Sequence, residues 1–219
     1  MFQTTIASPI QPPLKLKKKE RFVTLKEYVL WEAKQADKYE YHDGKIVKMA
    51  YARFPHNEIA FNTGTAIKNA ARGLKKKYRF CTSDQKIYIP EINHGVYADA
   101  VVVSEKPEFW DDDNLLLINP LLIVEVLSRS TQNYDRKGKF DLYKTRPSFH
   151  EYVLIRQDSC EVETRFKEEP GLWRETRVTD PNGSVLLKSL GCSISMADIY
   201  ENVEFPPPPA AKPPARKKG

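Results

Sequence analysis

Cysteine is scarce in this 219-residue chain: Cys81, Cys160 and Cys192 are odd in number, far apart, and form no C-x-x-C. That pattern argues against a disulfide framework and a cysteine zinc site, and makes a reducing cytoplasm the expected compartment. Long hydrophobic runs are missing too. The longest apolar stretch, Leu115–Leu127, has 13 residues and is interrupted by Asn119, Pro120 and Glu125, too short and too broken to span a bilayer. No apolar run follows a charged start at the N-terminus, so neither a signal peptide nor a membrane partner is expected. Only nine glycines are present, and none builds a P-loop, a dinucleotide fingerprint or a nucleophile elbow.

What is there is globular: 41% hydrophobic, 29% charged and 11% aromatic residues, enough apolar material for one sizeable core. The formal net charge is +6, but its location matters. Residues 1–21 carry Lys15, Lys17, Lys18, Lys19 and Arg21 against Glu20, and residues 206–219 carry Lys212, Arg216, Lys217 and Lys218 with no acid. Each end is therefore +4, which leaves the intervening body at −2. Nine of the sixteen prolines lie in the same two ends. The expected organisation is an extended basic arm over 1–21, one domain over 22–205, and a Pro-rich basic tail over 206–219 with no means of building a core. Such tails add nonspecific attraction to phosphates or act simply as solvated, solubilising ends.

Within the body, Thr24 and Glu27 have capping-box spacing and start a helix to about Ala36. Asp43-Gly44 marks a hairpin inside Tyr39–Met49. Ile59, Ala60, Thr63, Ile67, Ala70 and Leu74 recur at helical spacing over about 56–77. Strands are expected at 86–89, 97–103 and 121–127, a helix at about 133–145, then strands at 151–156, 160–167, 173–179 and 185–187, and a short helix at 197–202. Helix and strand mix without strict alternation, which predicts an α/β (α+β) fold with a mixed central β-sheet flanked by helices.

The informative residues are acidic. Asp99 opens the apolar strand Ala-Val-Val-Val, and Glu125 interrupts Leu-Leu-Ile-Val-Glu-Val-Leu. A buried unpaired carboxylate is costly, and two on neighbouring strands repel unless a cation, a proton or a basic side chain stands between them. A hard divalent cation would satisfy both. A polar loop and helix follow Glu125, with Lys139 one turn after Asp135 and one turn before Tyr143. If this helix packs beside Glu125, Lys139 reaches the carboxylates; otherwise Asp135 and Lys139 form an ordinary i,i+4 surface pair. Basic residues that could line a nucleic-acid cleft are Arg72, Lys75, Lys76, Lys77, Arg129, Arg136 and Lys144, all equally consistent with solvated helix ends.

These blocks resemble a known family. The Asp99 strand, Pro120-Leu-Leu-Ile-Val-Glu-Val-Leu-Ser, Tyr134-Asp-Arg-Lys-Gly-Lys-Phe-Asp-Leu-Tyr and Pro147-Ser-Phe-His-Glu-Tyr-Val-Leu-Ile, in that order, are similar to the Uma family of the PD-(D/E)XK nuclease superfamily. The hairpin Tyr39–Met49 and His56 also resemble it, so the likeness covers about residues 24–205. The resemblance implies a restriction-endonuclease-like fold and Mg²⁺-dependent hydrolysis of phosphodiester bonds in DNA, with Mn²⁺ as a substitute. It implies Asp99 and Glu125 as metal ligands, Glu40 as a supporting acid and Lys139 as the catalytic lysine. Duplex DNA is the implied partner and a homodimer the implied assembly. Two departures stand out. Ala98 replaces the superfamily's proline, and Leu127 stands where a lysine two residues after the glutamate would be. The following helix then supplies the lysine, with Lys137 the local rival to Lys139. The alternatives are an inactive nuclease-fold binding module, or a metal-dependent phosphoesterase acting on RNA or nucleotides.

Overall fold

The computed structural model describes residues 22–206; the basic arm expected over 1–21 and all but the first residue of the tail expected over 206–219 lie outside the described residues. Helix α1 (Leu25–Glu32) starts at Thr24 with both halves of the capping box in place and buries Tyr28. It stops before Ala36 because Lys34 and Gln35 bond back three residues, to Trp31 and Glu32, and tighten the last turn. Strands β1 (Tyr39–His42) and β2 (Lys45–Lys48) pair antiparallel. Asp43 at φ 42° and Gly44 at φ 86° form the turn, the left-handed pair that matches strand twist in a two-residue hairpin.

Helix α2 (Phe54–Ala71) follows. It ends earlier than helical periodicity predicts, because the chain leaves at Gly73 toward an unanticipated strand, β3 (Tyr78–Thr82). Next come β4 (Lys86–Ile89), β5 (His94–Tyr97), β6 (Ala100–Ser104), β7 (Leu116–Leu117) and β8 (Leu122–Leu127). A π-helical stretch, Tyr134–Lys139, runs directly into α3 (Phe140–Tyr143). The chain finishes with β9 (Glu151–Arg156), β10 (Val162–Glu169), β11 (Leu172–Val178), β12 (Ser184–Leu187), β13 (Cys192–Ser195) and α4 (Met196–Ile199).

The expected strand over 97–103 is broken near its start: Tyr97 ends β5, and residues 100–103 belong to β6 in another sheet. β5 belongs to a five-stranded sheet ordered β2-β1-β5-β4-β7, and β6 to a six-stranded sheet ordered β11-β10-β9-β8-β6-β3. The break falls at Ala98–Asp99, where the Asp99 amide bonds Val124 O on β8 and draws the chain onto a new partner strand. A small β12–β13 hairpin completes the β structure.

The six-stranded sheet is mixed and covered on both faces. On one face Val102, Val124 and Val126 pack with Ile59, Ala66 and Ile67 of α2. On the other, Ile123, Leu127 and Leu154 pack with Phe140, Tyr143, Phe149 and Tyr152. β8 and β9 run parallel, a pairing that requires a crossover, and the Tyr134–Tyr143 helix is that crossover. Helices on both faces of a mixed sheet agree with the fold class expected from the sequence. Among the described residues no helix is long and apolar enough to cross a membrane.

Candidate active site

Glu125 lies in the middle of β8, whose six residues are all buried. Side chains alternate along a strand, so Glu125 shares the face of Ile123 and Leu127 and points under the crossover helix. That helix presents Asp135, Lys139 and Tyr143, spaced by four, toward the sheet, and all three are buried. Lys139 Nζ donates to Tyr97 O at 2.8 Å and to Glu125 Oε1 at 3.0 Å, and lies 3.6 Å from Asp135 Oδ1 and 3.8 Å from Glu40 Oε1. The Asp135–Lys139 pair is thus an interior contact of a larger cluster and not the surface i,i+4 pair. Lys137 is exposed.

Glu40, from β1, is buried and hydrogen-bonded through Oε2 to His42 Nε2 at 2.9 Å and the Tyr134 hydroxyl at 3.2 Å. Asp99, at the break between sheets, accepts from the Val126 amide at 2.7 Å and hydrogen-bonds His56 Nε2 at 2.9 Å. The Tyr143 hydroxyl donates to the Glu125 oxygen that also receives Lys139. The four residues singled out in the sequence, Glu40, Asp99, Glu125 and Lys139, therefore converge. Asp135, Tyr134, Tyr143, His42 and His56 join them. His56, already part of the family resemblance, reaches Asp99 from another element, whereas His42 meets Glu40 two residues away on the same face of β1.

The electrostatics follow from four carboxylates gathered around one ammonium. Burial, with Asp99 and Asp135 nearby, pushes the Glu125 carboxyl well above the usual carboxylate range even though Lys139 pulls the other way. Burial likewise raises Asp135 against the opposing pull of Lys139 and Thr131. Burial of Glu40 acts upward, but the His42 hydrogen bond and Lys139 bring it below the usual range. Burial of Lys139 acts downward and is outweighed by Glu125, Glu40, Asp135 and Asp99, which hold the amine protonated. Glu125 and Lys139 thus both keep a proton to higher pH than in water.

Asp99 and Glu125 offer hard oxygen donors in a neighbourhood with more acid than base, which fits a hard divalent cation. Among the described residues no group of three or more His, Cys, Asp or Glu side chains is arranged to hold a metal ion. The protein's donors would be the two carboxylates, with water or phosphate oxygens filling the rest, as Mg²⁺ sites commonly have it.

The basic residues are less well placed. His56 meets Asp99 at the first turn of α2, so Arg72, at the far end, is about 24 Å away along the axis at 1.5 Å per residue. Arg72 and Lys75–Lys77 therefore do not line this site. Arg136 pairs with Glu163, and Lys144 with Asp141 at 2.6 Å. Arg129, in the loop after β8, remains largely exposed.

A mixed sheet covered by helices on both faces, with a strand glutamate, a strand-break aspartate and a crossover lysine, defines a restriction-endonuclease-like α+β fold. A solved structure from Anabaena variabilis, titled as a "putative nuclease belonging to DUF820", matches with a TM-score of 0.64 over 81% of this chain and 97% of that one, at 19% identity. The chain belongs to the Uma2 family, described as "Putative restriction endonuclease", whose model matches residues 25–197. Two Synechocystis sp. proteins, "Uncharacterized protein sll1609" and "Uncharacterized protein slr1290", are each 32% identical, over 165 and 179 residues, 75% and 82% of this chain and 92% of each relative.

Proposed function

We propose that this protein is a divalent-cation-dependent endonuclease that hydrolyses phosphodiester bonds in DNA. The observation that carries the reading is the buried Lys139 ammonium in reach of Glu125, Asp135 and Glu40, with Asp99 alongside. A lone structural ion pair needs one acid; here the surplus of acid calls for a further cation, and Mg²⁺ or Mn²⁺ is the fitting class.

Asp99 and Glu125 would hold the cation, which when bound supplies Lewis-acid polarisation and a more acidic water. The chain's own groups do the rest. His56 and the Val126 amide fix the orientation of the Asp99 carboxylate. Lys139, kept charged, orients a water for in-line attack and offsets the negative charge that develops on phosphate. Glu40, whose carboxyl the His42 hydrogen bond and Lys139 hold below the usual range and which Tyr134 also hydrogen-bonds, helps keep Lys139 protonated and in place. The Tyr143 hydroxyl limits rotation of Glu125. Duplex DNA is the proposed substrate, and a homodimer would let two such sites address the two strands.

The test is plasmid nicking and linearisation at low salt with Mg²⁺ or Mn²⁺ against an EDTA control. Wild type is expected to cleave only with the cation, and Glu125→Ala and Lys139→Ala to lose cleavage. No cleavage by wild type, together with no Mn²⁺ binding that depends on Asp99 and Glu125, would instead favour a binding module built on the same fold.

A further inference from the structure

Behind the acid cluster lies a second buried polar group that the proposed chemistry does not use. Glu32, at the end of α1, has a side chain only 10% exposed. Its Oε1 accepts from the Tyr39 amide at 3.0 Å and from the Tyr97 hydroxyl at 3.0 Å. Its other oxygen pairs with Lys86, which is itself buried and lies 4.2 Å and 5.2 Å above the Tyr28 and Tyr97 rings.

The two residues that Glu32 grips adjoin the site. Tyr39 immediately precedes Glu40 on β1. Tyr97 ends β5, and its backbone meets the site twice: its carbonyl accepts Lys139 Nζ at 2.8 Å, and its main chain hydrogen-bonds Glu40. Tyr97 is also the last residue before the break that carries Asp99 into the other sheet. One carboxylate oxygen thus ties together the ends of two strands that set where Glu40, Lys139 and the start of the sheet crossing sit. A buried ion pair contributes little net stability in general, and a pair placed there for stability alone would be replaceable by apolar residues. Its value at this place is geometric, since a misplacement of about 1 Å in a reacting group costs on the order of a hundredfold in rate.

We infer that Glu32 and Tyr97 are positioning residues that hold the Tyr97 carbonyl, and through it the Lys139 amine, in register with Glu125. The inference rests on the nuclease reading, and two independent readouts separate its failure from the failure of that reading.

The test uses the full chain with Tyr97→Phe, which removes only the hydroxyl, and the double variant Glu32→Gln with Lys86→Met. The latter keeps an acceptor oxygen for Tyr39 and Tyr97 while removing both charges. In single-turnover plasmid cleavage, Tyr97→Phe is expected to lower the rate constant about ten- to a hundredfold, with half-saturating DNA and melting temperature nearly unchanged. The double variant is expected to stay within about threefold of wild type. Tyr97→Phe as fast as wild type, or a double variant as slow as Tyr97→Phe, overturns the inference. The second readout needs no activity: crystal structures of wild type and Tyr97→Phe. Loss of the Lys139 contact with Tyr97 O or Glu125 supports the inference even if wild type cleaves no DNA; superposition of all three groups overturns it.

Discussion

The Lys139 ammonium and the Glu125 carboxylate meet at 3.0 Å inside the protein, one carried by a crossover helix and the other by the strand beneath it. Both are effectively out of solvent, at 5% and 3% exposure. Their partnership therefore depends on the helix lying across the sheet, and removing either member leaves a buried group without its counterpart.

Lys139→Met is expected to destabilise the protein in EDTA by about 3–5 kcal/mol, because Glu125, Asp135 and Glu40 lose their shared cation. Urea unfolding reads this directly. Added Mn²⁺ is expected to return part of the loss. A variant as stable as wild type would mean the acids do not lean on that ammonium.

Lys137→Ala is expected to change neither stability, by more than about 0.5 kcal/mol, nor cleavage, because its side chain is exposed. Comparing its cleavage with that of Lys139→Ala assigns the amine. A larger loss at Lys137 than at Lys139 would overturn the assignment.

Glu125 gives a pH dependence with a definite sign. Its folded carboxyl is raised by burial above its unfolded value, so the folded state binds the proton more tightly. The resulting stabilisation is complete below the ordinary carboxylate range and is lost as pH rises through the raised value. A cation needs the ionised form, so Mn²⁺ affinity should climb over the same interval and binding should release a proton. Calorimetry in buffers of different ionisation enthalpy measures that proton. Glu125→Gln should abolish the release, and a pH-independent affinity in wild type would contradict the argument.

His56→Ala is expected to weaken Mn²⁺ binding about 10- to 100-fold, as loss of a group that orients a ligand does elsewhere. The Asp99 carboxylate would keep its bond from the Val126 amide but be free to swing about it. Titration calorimetry checks this, with melting temperature as the control for folding.

Much of this arrangement was legible from sequence because burial makes charge conspicuous. Glu125 stands out inside an otherwise apolar strand, and Asp43-Gly44 marks its turn by chemistry that few other dipeptides share. Lys139 could be placed by counting turns from Asp135 and Tyr143, and a single turn tolerates the π-helical widening of the stretch before α3. The illegible parts are those set by distant chain. Nothing local says that Ala98–Asp99 interrupts a strand, because the break is made by hydrogen bonds to Val124 and Val126 on β8. Strands β3 and β13 read weakly because both are edge strands with only one fully buried residue between them, Ile194. His56 sits 43 residues from the aspartate it touches, and only the packing of α2 on the sheet joins them.

The parallel step from β8 to β9 has a consequence for how such a site can vary over time. Because the amine arrives on the connection and not on the strand, Val126 and Leu127 are left to be plain interior residues, buried at 1% and 4%. In the proposed enzyme, holding the cation and orienting the water would thereby fall to two separate stretches of chain. Each stretch can drift, lengthen or be repaired by a compensating change without the other being rewritten, so long as the connection still folds down over the same face.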